Sequence, residues 1–272
     1  MKRILTSLVG LPILFIIIKY LPPGCFLVLV AAAVVLGSYE LYALAERRGL
    51  KPHKMLGAIL GVAAACSFFG GRLEGTTVVC AAALLIPIAS IIRVRRNGSD
   101  LQDELGGITV TLFTVVFVGL LMGYSIALLN DGGERGRDLT VLLFWVVWLS
   151  DAGAFIVGSQ WGRHKLAPTI SPGKTIEGAA GALATAVVAA LIAKAWFFTR
   201  LTLSQAILLG LLLGLTGMIG DLAESLIKRA ASVKDSGWLF PGHGGMLDRA
   251  DSLLFAAPVL FYYHRYFMTQ GG

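Results

Sequence analysis

Long apolar runs dominate this sequence and leave few folds open to it. A membrane span needs about 20 predominantly apolar residues. Nine stretches approach that length, at about 4–21, 25–45, 55–71, 76–92, 106–129, 139–158, 176–198, 203–224 and 252–268. In hydrocarbon every backbone N–H and C=O must find a partner within the chain, so only helices and closed barrels can cross. Runs this long without period-two alternation predict helices. Composition agrees. Hydrophobic residues make up 56% and charged residues 14%, against about 25% charged in soluble domains. The expected fold is an all-α, polytopic membrane protein of about nine spans. The longest polar stretches, about 159–175 and 225–251, are too short to fold alone, so no separate soluble domain is expected. Residues 1–130 are read as N-terminal transmembrane helices, about five of them. Residues 131–272 are read as a C-terminal transmembrane region carrying any site.

The first run could be mistaken for a signal peptide, because it follows Met1, Lys2 and Arg3. It is too long for an h-region and leads into Leu21-Pro22-Pro23-Gly24, so it reads as a span. With the N-terminus in the cytoplasm, alternating spans put most of the 23 Lys and Arg residues inside, as the positive-inside rule requires. The net charge of +7 is thus topology signal and attraction to membrane lipids, not a nucleic-acid footprint. Cys25, Cys66 and Cys80 lie in apolar runs without a CxxC pair and read as small buried hydrophobes. Three small-xxx-small pairs, Gly57/Gly61, Gly119/Gly123 and Gly210/Gly214, predict close helix packing within the chain, with a homodimer contact as the alternative.

Four polar segments break the apolar pattern, all expected at the cytoplasmic face. Asp151 lies inside the sixth run, where a carboxylate costs roughly 2.5–3.5 kcal/mol on insertion scales, so it should face a cavity or a partner. Ser171-Pro172-Gly173-Lys174-Thr175-Ile176-Glu177-Gly178 suggests a phosphate loop, but Pro168 stands where a Walker A motif needs glycine. Lys174 and Thr175 still open a span, whose free N–H groups favour an anion. Asp221, Glu224, Ser225 and Lys228 fall at i, i+3, i+4 and i+7, so they share one face if the eighth helix runs on. Last comes Pro241-Gly242-His243-Gly244-Gly245-Met246-Leu247-Asp248-Arg249-Ala250-Asp251. Its glycines let backbone N–H groups converge on an anion. Its carboxylates and arginine suit a magnesium–triphosphate site. With four histidines and no pair at metal spacing, zinc is set aside. These loops bring Asp/Glu, Lys/Arg and Gly to one membrane face, which points to metal-assisted nucleotide or phosphate chemistry on a lipid.

The stretch Ser225, Lys228-Arg229, Lys234-Asp235, His243-Gly244-Gly245, Met246, Asp248-Arg249, Asp251 resembles the signature of the CDP-diacylglycerol synthases, or phosphatidate cytidylyltransferases. The segments around Asp151, Ser171 to Gly178 and Gly220-Asp221 look like the same family. The likeness covers roughly residues 145–258, and the N-terminal half matches only in being several spans. Gly173 stands where many members carry a second lysine, Phe155 replaces a frequent tyrosine, and Ala250 replaces a larger apolar residue.

The resemblance implies that CTP and phosphatidic acid react to give CDP-diacylglycerol and pyrophosphate, in phospholipid biosynthesis. A phosphate monoester has a second pKa of about 6, so it attacks as a largely dianionic oxygen and needs no strong general base. The task is to bring anion to anion, with cations neutralising the charge. The resemblance implies Mg2+ as cofactor, alone or with a second ion that could be monovalent. Asp221 and Asp248 are then metal ligands. Lys228, Arg229, Lys234 and Arg249 would meet triphosphate or lipid phosphate. Asp151, Glu224, Asp235 and Asp251 would orient cations or add ligands. Lys174, Thr175, Ser225, His243, Gly244 and Gly245 would line the site. If the host is a bacterium, the location is the inner membrane. Two other readings stay open: a CTP-dependent polyprenol kinase, which would release CDP, and a membrane anion transporter with a charged vestibule.

Overall fold

The computed structural model describes residues 2–70, 74–97, 100–131, 133–233, 237 and 245–268. Its helices are α1 (Lys2–Tyr20), α2 (Pro23–Glu46), α3 (Lys54–Cys66), α4 (Gly75–Asn97), α5 (Leu101–Thr114), α6 (Leu121–Asn130), α7 (Glu134–Trp161), α8 (Ile176–Trp196), α9 (Leu203–Ala230) and α10 (Leu247–Tyr263). A π-helical turn, Val115–Leu120, joins α5 and α6 into one rod, and a second, His264–Met268, extends α10. Among the described residues six rods are long and apolar enough to cross a membrane: α2, α4, α5 with α6, α7, α8 and α9. The remaining helices are α1, the 13-residue α3 and the 17-residue α10. The structure therefore supports a multi-helix membrane protein without a separate soluble domain. The expectation of nine spans rested on apolar length, and α3 is too short for it.

The chain is not purely helical. Residues expected as loop form an antiparallel hairpin, β1 (Lys165–Ala167) and β2 (Ser171–Thr175), between α7 and α8. It is tied down by Glu177, whose carboxylate accepts from the amides of Arg163 and His164, at 3.1 and 3.2 Å, and pairs with the His164 ring. Helices also run past the apolar segments. α7 continues to Trp161, and α9 continues through Lys228 and Arg229 to Ala230. Hydropathy alone cannot see this, because lysine and arginine are good helix formers. Local caps fix several starts. Thr202 and Gln205 form a capping box on α9, and the Thr175 side chain accepts from the Gly178 amide at the head of α8.

α7, α8, α9 and α10 pack in sequence around one core that includes Leu142, Val146, Ala186, Leu209 and Leu213. A second core joins α1 and α2 to α6, α7 and α10 through Phe26, Val34, Val118 and Leu254. The glycine pairs close contacts inside the chain. A Cβ on Gly119 would lie 2.5 Å from the Gly61 carbonyl oxygen, and one on Gly210 would lie 2.6 Å from the Val187 Cα. Gly57 and Gly123 face Tyr42 and Phe68 in the same way. These glycines serve intramolecular packing, the first of their two expected uses. Cys25 and Cys80 depart from expectation, since both lie exposed on the outer surface of the bundle.

Polar contacts gather at the two ends of the bundle. At one end Arg137 donates to the Ile18 and Lys19 carbonyls, and His264 pairs with Asp131 at 2.8 Å. At the other, Arg48 donates to the Ser232 hydroxyl at 2.8 Å and Arg229 donates to the Ile170 carbonyl at 3.2 Å. His53 joins α3, α4 and α5 at this second end. Its Nδ1 accepts from Arg93 at 2.6 Å, its Nε2 donates to Ser90 at 2.6 Å, and the buried Glu104 carboxylate lies 3.7 Å away. That arrangement requires a neutral ring, and burial, aided by the Arg93 charge, pulls its pKa below the usual histidine value.

Two expectations follow from this packing. Because His53 is held neutral, the unfolded chain binds more protons below a pH of about 6.5, so stability falls as pH drops through the window beneath it. The thermal midpoint in detergent should decline there, and a His53→Asn variant should lose that part of the slope. The second concerns Gly220, where an added Cβ would lie 2.4 Å from the Asp251 carbonyl oxygen. Gly220→Ala should push α9 from α10 and lower the melting point, at a cost of about 1–3 kcal/mol. An unchanged melt would show that the two helices do not need this approach.

Candidate active site

The second end of the bundle holds a cleft of about 450 Å³ between the hairpin and α7 to α10, within the usual range for ligand pockets of about 300–1,000 Å³. α7 contributes Asp151, the hairpin contributes Lys174 and Thr175, α9 contributes Asp221 and Lys228, and α10 contributes Asp248, Asp251 and Ser252. Phe155, Leu166 and Met218 form an apolar wall. Four polar segments far apart in the sequence thus meet in one place. Each is delivered by an identifiable local cause. The i, i+3, i+7 spacing on the prolonged α9 puts Asp221, Glu224 and Lys228 on one face. Gly220 lets that face approach the α10 backbone at Asp251. The hairpin turns Lys174 back over the α9 end, where its Nζ lies 2.8 Å from Asp221 Oδ2.

Among the described residues the cleft carries more acidic than basic groups. Lys228 pairs with Glu224, one turn earlier on its own helix, and with Asp248 on α10. Lys174 pairs with Asp221. Five carboxylates, those of Asp151, Asp221, Glu224, Asp248 and Asp251, therefore face two lysines among the described residues. Oxygen atoms of Asp221, Glu224 and Asp251 all lie within 4.8 Å of one another. Glu224 is fully buried, with one carboxylate oxygen against Lys228 Nζ. A set of three hard oxygen donors this close together fits a Mg2+-like cation. Mg2+ was the cofactor expected, with Asp221 and Asp248 as its ligands. Asp221 belongs to the close triad. Asp248 stands beside it, with one oxygen on Lys228 and the other accepting from the Gly245 amide at 2.7 Å.

The other expected residues are placed unevenly. Thr175 acts as the cap of α8, so its hydroxyl is engaged with Gly178. Ser225 is half-buried and Arg249 is exposed on the first turn of α10, and neither lines the cleft. Arg229 is exposed and holds the hairpin turn through the Ile170 carbonyl. Gly245 supplies the amide that fixes Asp248. Lys234, Asp235, His243 and Gly244 lie outside the described residues. Gly173 lines the cleft, and nothing lies within 4 Å of where its Cβ would be, so a longer side chain there would have room.

One residue escaped the sequence reading. Glu40, on α2, accepts from the Met246 and Leu247 amides at 2.7 and 2.8 Å. The signal was present: Glu40 is the one charged residue between Pro23 and Ala45, and a carboxylate inside a span is costly.

The sequence profile of the cytidylyltransferase family matches residues 1–267. A phosphatidate cytidylyltransferase of Bacillus subtilis strain 168 is 34% identical over 269 residues, which is 96% of each chain. One from Staphylococcus saprophyticus is 40% identical over 149 residues, 55% of this chain and 56% of that one. The Escherichia coli K12 protein YnbB is 39% identical over 191 residues, 67% of this chain and 63% of its own length. The matched part thus spans less than two thirds of two of these relatives and nearly all of the third. With the profile running from α1 to the π-helical turn after α10, the chain belongs to the cytidylyltransferase family.

Proposed function

We propose that this chain is a phosphatidate cytidylyltransferase, joining CTP and phosphatidic acid into CDP-diacylglycerol and pyrophosphate. The observation that carries the reading is the charge of the cleft. An acid-rich pocket repels a nucleoside triphosphate unless cations accompany it, and the Asp221, Glu224 and Asp251 triad suits a Mg2+ ion. The near full-length match to the B. subtilis enzyme gives the substrates.

Mg2+, when bound, neutralises phosphate oxygens and raises the electrophilicity of phosphorus. The chain's own groups do the rest. Asp221, Glu224 and Asp251 would hold the cation, and Asp248 would be a further ligand beside them. Lys174 and Lys228 neutralise carboxylates in the resting site and transfer to phosphate oxygens when substrates arrive. Asp151 faces the same cations from α7. A lipid phosphate oxygen attacks the α-phosphorus, the bond from that phosphorus to the bridging oxygen breaks, and pyrophosphate leaves with the electron pair. No side-chain base is needed, because the nucleophile is already ionised. Phe155, Leu166 and Met218 offer the acyl chains an apolar passage, so the lipid reaches the site sideways from the bilayer.

The reading includes a topology. With the N-terminus in the cytoplasm and the helical rods alternating in direction, the cleft would face the cytoplasm, a reading supported by the excess of basic residues at that end. Residues 1–130 form the supporting helices and 131–272 the catalytic region. The bacterial relatives favour a location in the cell membrane, the inner one where the host has two.

The test uses purified protein in detergent–lipid micelles with phosphatidic acid, CTP and Mg2+. Lipid-bound cytidine and pyrophosphate should form in equal amounts, and a chelator should abolish both. Release of CDP with phosphorylation of a lipid alcohol would overturn the reading in favour of a kinase. Asp251→Asn and Asp248→Asn should each lower turnover by about 100-fold or more, on the scale of lost transition-state electrostatics, while folded protein is retained. Near-normal turnover by either variant would remove that residue from the site.

A further inference from the structure

We infer that Glu40, on a helix remote in sequence from the catalytic segments, is a positioning residue for the active site. α10 carries Asp248 and Asp251 within its first two turns. The first amides of a helix have no intrahelical acceptor, and Met246, at the N-cap, has no side-chain oxygen to supply one. The two oxygens of Glu40 fill that gap by accepting from Met246 and Leu247, one each, at 2.7 and 2.8 Å. A carboxylate on helix N–H groups is a charge-assisted contact that also complements the helix dipole.

Three further observations tie this contact to the site. The next amide back, that of Gly245, donates at 2.7 Å to Asp248 Oδ2, so Glu40 and Asp248 divide the successive amides of one turn between them. Leu247 is buried against Gly37, one helical turn before Glu40, which seats α10 on α2 at this level. A Cβ on Gly237 would lie 2.6 Å from Glu40 Oε1, so the backbone at Gly237 also lies against this carboxylate. Glu40 therefore sets the height and rotation of the α10 end, and through it the distance of Asp248 from Lys228 and of Asp251 from Asp221. Its hydrogen bonds to Met246 and Leu247 are to backbone amides, so it acts on Asp248 and Asp251 by way of the α10 backbone.

The role in turnover rests on the proposed cytidylyl transfer; the contact itself does not. Two measurements keep them apart. The first is hydrogen exchange of the Met246 and Leu247 amides in wild type, Glu40→Gln and Glu40→Ala. Exchange should quicken at both amides in Glu40→Ala and at one or both in Glu40→Gln, since an amide side chain keeps a single acceptor oxygen. The second is steady-state kinetics of the folded variants. A misplacement of about 1 Å can cost about 100-fold in rate, so kcat should fall by about 10- to 100-fold in Glu40→Ala with KM for CTP changed far less. Glu40→Asp, which keeps both acceptors, should recover part of the loss. Wild-type kcat in Glu40→Ala, or a lower melting point with kcat intact, would overturn the positioning role. If wild type forms no CDP-diacylglycerol, the proposed function fails, and wild-type amide exchange in Glu40→Ala would overturn the contact separately.

Discussion

The shared ammonium group of Lys228 is the contact on which the site depends. It bridges Glu224 on α9 and Asp248 on α10, so it both neutralises and joins the two helices that carry most of the carboxylates. Glu224 is fully buried, and a buried charge without a counterion is among the costliest features a protein can hold. Such a group survives in a membrane bundle only where paired or facing a polar cavity. The i, i+4 spacing of Glu224 and Lys228 makes the pair a property of α9 itself. The reach to Asp248 then requires α10 at one height, which Gly220 permits from the side and Glu40 fixes from below.

The same economy governs the helix contacts. Lipid gives helices no hydrophobic reason to associate, so close approach through small residues must hold them. Gly61 against Gly119 and Gly210 against Val187 bring backbones together away from the site. Gly220 does so within it. Packing and chemistry therefore use one device at different heights of the bundle, and both ends of the rods are closed by polar ties: Arg137 on the α1 carbonyls at one, Arg48 and Arg229 on the loops at the other.

How much of this the sequence discloses depends on the kind of information. Helical character follows from apolar length, and the runs lie mainly on helices, although the run at 55–71 outlasts α3, which ends at Cys66. Their ends do not follow, because Lys228 and Arg229 continue α9 although they end its apolar run. The face shared by Asp221, Glu224 and Lys228 is legible, since it needs only helical periodicity. That Asp151 and Lys174 join that face is suggested by their polarity in apolar surroundings, but distance in space is not written in spacing. The hairpin at 165–175 left little trace, because each strand is too short to show alternation. Asp221 and Asp248 are expected as metal ligands, with Glu224 and Asp251 as additions. The nearness of Glu224 to Asp221 follows from the period of α9, whereas that of Asp251 depends on how α9 crosses α10, which no spacing discloses.

Glu40 shows why the N-terminal half cannot be treated as a mere anchor. The first amides of α10 open beside the cleft and need an acceptor. Met246 offers no cap, and Asp248, which could reach back further, is committed to Lys228 and the Gly245 amide. The acceptor must then come from outside the catalytic segment, from a rigid element behind it. α2 meets that need because its Gly37 lets Leu247 seat closely, and Glu40, one turn on, then faces the open amides. The cost of a carboxylate within a span is offset by two charge-assisted hydrogen bonds and by the helix dipole. On this view the position of a charge in an otherwise apolar helix reports a demand made by a different helix, more than 200 residues along the chain.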